Sequence, residues 1–318
     1  MDGVRRAAPD PAANVVIEFR NVSKTYKTIL GRQVKAVEDF SLSVPVGQVF
    51  GIAGPNGAGK STLIGMLLGF LSPTSGRIDV GGLGPRAYAE RNGIGYLSEL
   101  IAIPPRWRAD TALQRFAILA GVEEAALPGA VDAAVARLGI EEHRKKRIKA
   151  LSKGNLQRVG IAQAIAQDAQ IFVLDEPTHG LDPVWTQRFR DIVNELRGGG
   201  RVILIASHNL DELERLCDQV AIIDHGRLQR VVNVRAAATD SGTTRYRVSV
   251  LEGAELLRAK YPNAIDRGGG EFEIDIVSLA SLNRTLGLLM ADGVVVSSVQ
   301  PAHSALERQF REAVGEEQ

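Results

Sequence analysis

The sequence contains little cysteine, no long apolar run and almost no net charge. One cysteine, Cys217, stands among 318 residues, which excludes a disulfide within the chain and fits a reducing compartment. Lysine and arginine number 38 against 37 aspartate and glutamate residues, so the chain lacks the basic character of a dedicated nucleic-acid binder. No stretch reaches the roughly 20 apolar residues that span a bilayer. Residues 1–14 lack the apolar core of a secretory signal, and we expect a loose polar tail there.

The remaining composition is that of a globular protein, with 45% hydrophobic and 24% charged residues. The length allows either one large domain or one domain together with a smaller one. Short apolar stretches that alternate with helical patterns predict an α/β architecture with a buried parallel sheet. The predicted strands lie at 15–19, 48–53, 171–174, 201–206 and 220–224. We expect the strand at 220–224 to be the last of the sheet.

An alanine-rich, helical stretch from about 104 to 150 interrupts the strands and predicts a helical insertion. We place a helical subdomain at roughly 100–168. The stretch ends in a basic run at 144–149, which could contact nucleic acid or anionic lipid. A solvated helix end is the favoured interpretation, because such runs are common on protein surfaces.

A second unit is predicted beyond a change of composition, where apolar residues give way to small polar ones. We divide the chain into a tail at 1–14, a main domain at 15–234, a linker at 235–244 and an accessory domain at 245–318. Strand-like alternation and helical spacing both recur in the last part, which predicts a small α+β domain. The predicted strands lie at 246–250, 272–276 and 294–299, and the predicted helices at 279–289 and 304–314.

A glycine-rich segment after the second predicted strand carries the clearest chemical signal. It matches the pattern G-x-x-x-x-G-K-[ST], with an apolar strand before it and an apolar helix after it. The glycines let backbone N–H groups face phosphate oxygens, and the helix start adds a positive dipole end. A plain glycine turn is the alternative, which the agreement of motif and context disfavours. The predicted nucleotide-binding residues are Gly54, Pro55, Asn56, Gly57, Ala58, Gly59, Lys60, Ser61 and Thr62.

Two acids at the end of an apolar strand form the second part of the predicted site. Asp175 and Glu176 follow the strand at 171–174, and a buried parallel strand delivers its last residues to the sheet edge where phosphates bind. Asp175 can hold Mg²⁺ directly or through water, and Glu176 is placed to polarise an attacking water. The acids alone are a weak signal, but together with the phosphate loop they predict a P-loop nucleoside triphosphatase.

Further motifs resemble those of the ABC transporter ATP-binding subunits. The segment L-S-K-G-N-L-Q-R at 151–158 resembles the ABC signature, and P-T-H-G-L-D-P at 177–183 resembles the D-loop region. His208 follows a predicted strand, as the switch histidine of that family does. Tyr26 precedes the phosphate loop at a distance similar to that of the aromatic residue that stacks on adenine, although taken alone it is more typical of a core residue. The resemblance covers roughly residues 15–230.

The resemblance implies an ATPase that uses ATP and Mg²⁺. It implies that Glu176 and His208 are catalytic, that Asp182 belongs to the D-loop, and that Mg²⁺ is held by Ser61, Glu99 and Asp175. The signature would meet the γ-phosphate bound to a second nucleotide-binding subunit. Its residues are Ser152, Lys153, Gly154 and Asn155.

Three positions depart from the usual family pattern. Glu99 stands where most members have glutamine, and a carboxylate can still bind Mg²⁺. Lys153 replaces a glycine and Asn155 a glutamine, and both changes resemble the branch that exports drugs, polysaccharides and other small cargo. That branch often has a small C-terminal domain. His179 lies at a variable position of the D-loop region, and the sequence suggests no role for it.

The resemblance therefore implies a subunit that powers export through a separate membrane permease, at the cytoplasmic face of the membrane and as a homodimer. One alternative is a non-transport ABC ATPase acting on ribosomes or DNA. Those relatives usually have two nucleotide-binding heads or a long coiled-coil insertion, and the neutral charge also disfavours a nucleic-acid partner. A regulatory module without turnover is the other alternative, and the presence of Glu176 disfavours it.

Overall fold

The structure is a computed structural model, and it describes residues 17–27, 31–166, 169–237 and 244–315. The predicted tail at 1–14 lies outside the described residues, as does the part of the predicted linker at 238–243. The chain forms two compact units, Met1–Asn233 and Val234–Gln318. The first unit has two sheets and the second unit has one, and each unit has its own apolar core.

The first unit contains two sheets. Their strands are β1 (Ile17–Lys27), β2 (Gln33–Val44), β3 (Val49–Ala53), β4 (Ser75–Val80), β5 (Gly95–Leu97), β6 (Ile171–Asp175), β7 (Val202–Ser207), β8 (Gln219–Asp224) and β9 (Arg227–Asn233). One sheet is antiparallel with the order β2–β1–β4, and the other has the order β5–β6–β7–β3–β8–β9. In the second sheet only β9 runs antiparallel to its neighbour. Every residue of β3, β6 and β7 is buried, which explains their uninterrupted apolar sequences.

Seven α-helices accompany these strands among the described residues of the first unit. They are α1 (Lys60–Leu67), α2 (Pro85–Asn92), α3 (Ala109–Leu119), α4 (Leu127–Arg137), α5 (Lys153–Ile165), α6 (Pro183–Gly198) and α7 (Leu210–Leu216). Helices α3, α4 and α5 pack on one another, and α3 and α4 lie in the stretch predicted to be helical. Helix α1 begins at Lys60, inside the predicted nucleotide-binding segment, and its buried apolar residues join the core of the first unit.

The prediction that the strand at 220–224 ends the sheet is wrong. A two-residue turn follows β8, and its residues His225 and Gly226 have φ angles of 46° and 76°. Positive φ at both central residues is typical of the tight hairpin turns that match strand twist. The turn leads into β9, where only Val232 is fully buried and the other residues are exposed or partly exposed. Such an edge strand has no apolar run, so the sequence pattern did not reveal it.

The second unit is an antiparallel sheet with helices, which confirms the predicted α+β class. Its elements are α8 (Val234–Ala237), β10 (Thr244–Glu252), α9 (Ala254–Lys260), β11 (Ile265–Gly268), β12 (Glu271–Ile276), α10 (Leu279–Ala291), β13 (Val295–Pro301) and α11 (Ala305–Val314). The strand order is β11–β12–β10–β13. Alternate residues of β10 and β12, such as Val248 and Phe272, pack with Leu282 and Leu289 of α10 in one core. Among the described residues of both units, no helix has the length and apolarity that crossing a membrane requires.

Candidate functional site

An open cleft of about 590 Å³ lies where β3, β6 and β7 end at the carboxyl edge of the sheet. Its volume is within the usual range for small-molecule sites. Residues far apart in the sequence meet here because neighbouring parallel strands end side by side. The walls are formed by Ala36, Asn56, Gly57, Gly59, Lys60, Ser61, Thr62, Glu99, Asp175, Glu176, His179 and His208.

The phosphate loop curls tightly around the Lys60 side chain. The Lys60 ammonium group donates to the carbonyl of Gly54 at 2.6 Å and to that of Pro55 at 3.2 Å. A Cβ atom on Gly54 would lie 2.4 Å from the Ile223 carbonyl oxygen, and one on Gly59, which has φ 105°, would lie 2.5 Å from the Ala36 carbonyl oxygen. Glycine is therefore required at both positions, because any side chain would clash with backbone.

Three carboxylates surround this lysine. Burial lowers the pKa of Lys60, while the negative charges of Glu176, Asp175 and Glu99 act in the opposite direction. Burial raises the pKa of Asp175 to about 6, and the nearby charges of Glu99 and Glu176 add to the effect. Since like charges in a partly dry cleft repel one another, a bound cation would stabilise this cluster.

The donor set fits Mg²⁺ that is shared with phosphate. Ser61, Glu99 and Asp175 all line the cleft, and oxygen donors of this kind are those that Mg²⁺ prefers. Within the ranges that the structure describes, no group of three His, Cys, Asp or Glu residues is placed to hold a metal by itself. Mg²⁺ usually takes only one or two carboxylates and completes its shell with water and phosphate, so the two acids and the serine suffice.

The Glu176 carboxylate is held in one direction. Its Oε1 accepts from the backbone N–H of His208 at 2.9 Å and lies 2.7 Å from the His208 Nδ1, and the Ser207 hydroxyl donates to its Oε2 at 3.1 Å. Glu176 is 8% exposed, and its backbone has φ 48°. A left-handed conformation is costly for a residue other than glycine and is typical of functional sites.

The predicted signature residues lie outside the walls of the cleft in the single chain. Ser152 caps α5 by accepting from the Asn155 N–H at 3.3 Å. Lys153 reaches toward the cleft and places its Nζ 2.7 Å from the His179 Nε2. Asp182 caps α6 through the Trp185 N–H at 2.9 Å.

Tyr26 does not behave as a core residue, because it is 38% exposed. The Lys24 ammonium group lies 5.4 Å from the centre of its ring. Tyr26 is absent from the cleft walls described above, so its contact with adenine stays a prediction.

Sequence reasoning missed three residues that contact the predicted site. Ser207 donates to Glu176, and His179 lines the cleft. The amide of Gln157 donates to the backbone carbonyls of Glu176 and Pro177. Gln157 lies one helical turn after Lys153, so helical spacing could have placed both side chains on one face of α5.

Comparisons with known proteins show the family of the chain. The family model described as "ABC transporter" matches residues 37–179. The methionine import ATP-binding protein MetN of Bordetella pertussis is 31% identical over 304 residues, which are 93% of this chain and 82% of that protein. This chain belongs to the ABC transporter ATP-binding proteins.

Other ABC transporter relatives differ in coverage. An uncharacterized ABC transporter ATP-binding protein of Nostoc sp. is 38% identical over 67% of this chain, and the match spans 65% of that relative. The Nod factor export ATP-binding protein I of Mesorhizobium japonicum is 34% identical over 70% of this chain and 65% of its own length. The chain thus spans slightly less than two thirds of these two relatives.

A solved ABC structure confirms the fold. The ATP-binding cassette MJ0796, in a dimeric post-hydrolysis state bound to ADP and Pi, aligns with a TM-score of 0.64 and 21% identity. The alignment covers 69% of this chain and 99% of that one. At this identity the likeness concerns the fold alone, and it agrees with the predicted P-loop sheet domain.

Proposed function

We propose that this ABC subunit binds ATP with Mg²⁺ in the cleft and hydrolyses it to ADP and phosphate. The observation that carries the proposal is the convergence of Lys60, Asp175, Glu176 and His208, which come from three separate segments of the chain, on one cleft. A charge for phosphate, an oxygen ligand for metal and a fixed carboxylate are the parts that phosphoryl transfer requires.

Each side chain has a proposed task in this reaction. The phosphate loop would hold the β- and γ-phosphates through its backbone N–H groups, and the Lys60 ammonium group would exchange its carbonyl contacts for phosphate oxygens. Ser61, Asp175 and Glu99 would hold Mg²⁺, which when bound neutralises phosphate charge. Tyr26 would stack on adenine.

Glu176 is the proposed general base. Its carboxylate already accepts from His208 and Ser207, so its direction is set before substrate arrives. In this role it would orient the attacking water and accept its proton. His208 is the proposed switch residue, because its imidazole contacts Glu176 while it also lines the cleft.

The site is proposed to be completed by a second nucleotide-binding subunit. The cleft is open, and the first turn of α5, with Ser152, Lys153, Gly154 and Asn155, lies outside its walls. In the proposed homodimer each α5 would face the cleft of the other chain, where its N–H groups and dipole would meet phosphate. ATP-driven closing and opening would move a membrane permease at the cytoplasmic face.

Export is the proposed direction, and no nucleic-acid partner is proposed. The relatives include an import protein and an export protein by name, so homology alone leaves the direction open. Lys153 and Asn155 favour export, because they resemble the exporting branch described above, whereas the second unit does not discriminate, since the match to the import protein covers 93% of this chain. We keep the division into a nucleotide-binding domain at 15–234, a linker at 235–244 and an accessory domain at 245–318 as part of this proposal.

Phosphate release from ATP tests the proposed activity. The purified protein should release phosphate only with Mg²⁺, and Lys60→Ala should retain less than about 5% of the turnover, because the phosphates lose their closest charge. Equal turnover in the two proteins would show that the activity belongs to another site or to a contaminant. A protein that binds ATP but shows no turnover with Mg²⁺ would favour the regulatory alternative.

A further inference from the structure

The loop at 176–180 joins the proposed general base to the D-loop region. Glu176 and Pro177 at its start are buried, whereas His179 and Gly180 at its end are exposed. Helix α5 contacts both ends of this loop through side chains of its first two turns. Helix α5 and this loop have separate proposed roles, because α5 carries the signature residues and the loop carries Glu176.

Gln157 holds the buried end of the loop. Its side chain is 5% exposed, and its Nε2 donates to the Glu176 carbonyl at 3.1 Å and to the Pro177 carbonyl at 2.8 Å. A primary amide has two N–H groups, so one glutamine satisfies both acceptors. On the other side of the residue, the Glu176 N–H donates to the Ala206 carbonyl at 2.9 Å. These bonds enclose the left-handed backbone of Glu176, which needs such support to persist.

Lys153 holds the exposed end of the loop. Its Nζ lies 2.7 Å from the His179 Nε2, and its aliphatic stem covers Gly180, where a Cβ atom would lie 3.0 to 3.2 Å from three of its carbons. An ammonium group can only donate, so Nε2 must accept and the neutral imidazole must keep its proton on Nδ1. Lys153 therefore selects one tautomer of a histidine that lines the cleft.

The backbones of the two segments also approach closely. A Cβ atom on Gly154 would lie 2.9 Å from the Gly180 carbonyl oxygen, which is closer than a side chain normally allows. Lys153 and Gln157 are four residues apart in α5 and so project from the same face of the helix. Contacts at both ends of the loop and a close approach between them leave little room for the loop to move independently of α5.

We propose that Lys153 and Gln157 are positioning residues which fix the 176–180 loop, and with it the Glu176 carboxylate, to the first turns of α5. The proposal rests on the proposed function, because the orientation of the Glu176 carboxylate matters only if Glu176 acts in hydrolysis. It gives His179 a role as the acceptor of a hydrogen bond from the Lys153 ammonium group. It also means that a displacement of the signature turn changes the position of the general base in the same chain.

A double-mutant cycle on the exposed pair tests the proposal without disturbing the core. Lys153→Met and His179→Leu should each lower kcat by about tenfold, with ATP affinity changed less than about twofold, and the double variant should be no worse than the poorer single variant. Lys153→Arg and His179→Gln should restore most of the activity, because arginine still donates and the glutamine oxygen still accepts. Losses that multiply in the double variant, or no rescue, would overturn the proposed pair.

A spectroscopic measurement follows the same contact without turnover. In protein with ¹⁵N-labelled histidine, the resonances that disappear in His179→Gln identify His179. They should show a proton on Nδ1 in the wild type and a shift toward the Nε2–H tautomer in Lys153→Met. An unchanged tautomer would contradict the contact. Since no ATP is present, this result stands even if the wild type proves not to hydrolyse ATP, which would be a failure of the proposed function instead.

Gln157→Met tests the contacts of Gln157 with the buried end of the loop, and Gln163→Met on the same helix is its control. Methionine keeps the length of the side chain but cannot donate to the two carbonyls. We expect kcat to fall by about tenfold or more with ATP affinity within about twofold of wild type, while the Gln163 variant stays within about twofold in both. Equal losses of kcat and of ATP affinity, or the same loss in both variants, would show that helix packing alone explains the effect.

Discussion

The Glu176 Oε1 lies 2.7 Å from the Nδ1 of His208 and 2.9 Å from the backbone nitrogen of the same residue. Ser207, whose hydroxyl also donates to this carboxylate, is buried, whereas the His208 imidazole is 64% exposed. The backbone and the serine are therefore able to keep the carboxylate in place when the ring moves. The arrangement therefore separates two tasks. The imidazole can turn toward a nucleotide in the cleft while the other two donors keep the orientation of the Glu176 carboxylate.

We predict that His208→Ala keeps ATP affinity within about twofold of wild type but lowers kcat on the order of 100-fold, the typical contribution of a group that assists proton transfer. Ser207→Ala removes a hydrogen bond to the same carboxylate and should cost less than about tenfold. Titration with ATP and measurement of phosphate release separate the two quantities. A parallel loss of affinity and turnover in His208→Ala would show that the ring serves ground-state binding.

Glu176→Gln should trap the proposed dimer. The amide preserves the size of the side chain but cannot accept a proton from water. With ATP and Mg²⁺ we expect size-exclusion chromatography with light scattering to show a mass twice that of the chain, and a monomer without ATP. Lys60→Ala combined with Glu176→Gln is the control and should remain monomeric. A Glu176→Gln monomer under both conditions would count against the dimeric site.

The phosphate loop and the acidic strand could be predicted from the sequence because both signals are local. Gly54 to Thr62 is a continuous pattern, and Asp175 ends a strand whose residues are all buried. The family resemblance added His208, which the structure brings to Glu176. The buried strands were found for the same reason, since burial on both faces imposes an uninterrupted apolar sequence.

The contacts around Gln157 could not be predicted in the same way. The residue lies 19 positions before Glu176, and only the packing of α5 against the sheet edge shows that its amide faces the carbonyls. Tyr26 shows a different limit, because the residue alone suggests core, the family resemblance suggests contact with adenine, and the structure decides only that the side chain is exposed. Strand β9 could not be predicted from the sequence because it lies at the edge of the sheet. Only one of its residues is buried, so it has neither an apolar run nor a regular alternation of apolar and polar residues.

Glu99→Gln should be tolerated, with ATPase activity within about tenfold of wild type, a barrier change of less than about 1.4 kcal/mol. The amide keeps an oxygen for Mg²⁺ and removes a charge from the cleft. Without Mg²⁺ we expect tighter ATP binding than in the wild type, because the carboxylate no longer repels the phosphates. Glu99→Ala should be more impaired with Mg²⁺, since the oxygen is lost. The same Mg²⁺ dependence in all three proteins would leave Glu99 as a surface acid without a metal contact.

Acid should weaken the second unit through Glu273, which is 2% exposed. Its carboxylate accepts from Arg267 at 2.9 Å and from Arg247, which lies directly opposite on β10, at 3.2 Å. The hydrogen bond from Arg267 lowers the pKa of Glu273, and Arg247 contributes further. A carboxyl group whose pKa is lowered in the folded state stabilises that state above its ordinary pKa, near 4.5, and this stabilisation is lost as the pH falls through the lower folded pKa.

Glu273→Gln should therefore destabilise the second unit at pH 7 by about 1.5 kcal/mol, the lower end for a hydrogen bond to a charged group, because both arginines are partly exposed. As the pH falls below about 4.5 and through the lowered pKa of Glu273, the wild type should lose this advantage and approach the variant. Hydrogen exchange followed by mass spectrometry on peptides covering 244–276 reports this unit separately, whereas Trp107 and Trp185 fluorescence reports only the first unit. Glu271→Gln, an exposed acid on the same strand, is the control and should exchange like the wild type. If Glu273→Gln and Glu271→Gln show the same protection at pH 7, the two arginines do not stabilise the fold through Glu273.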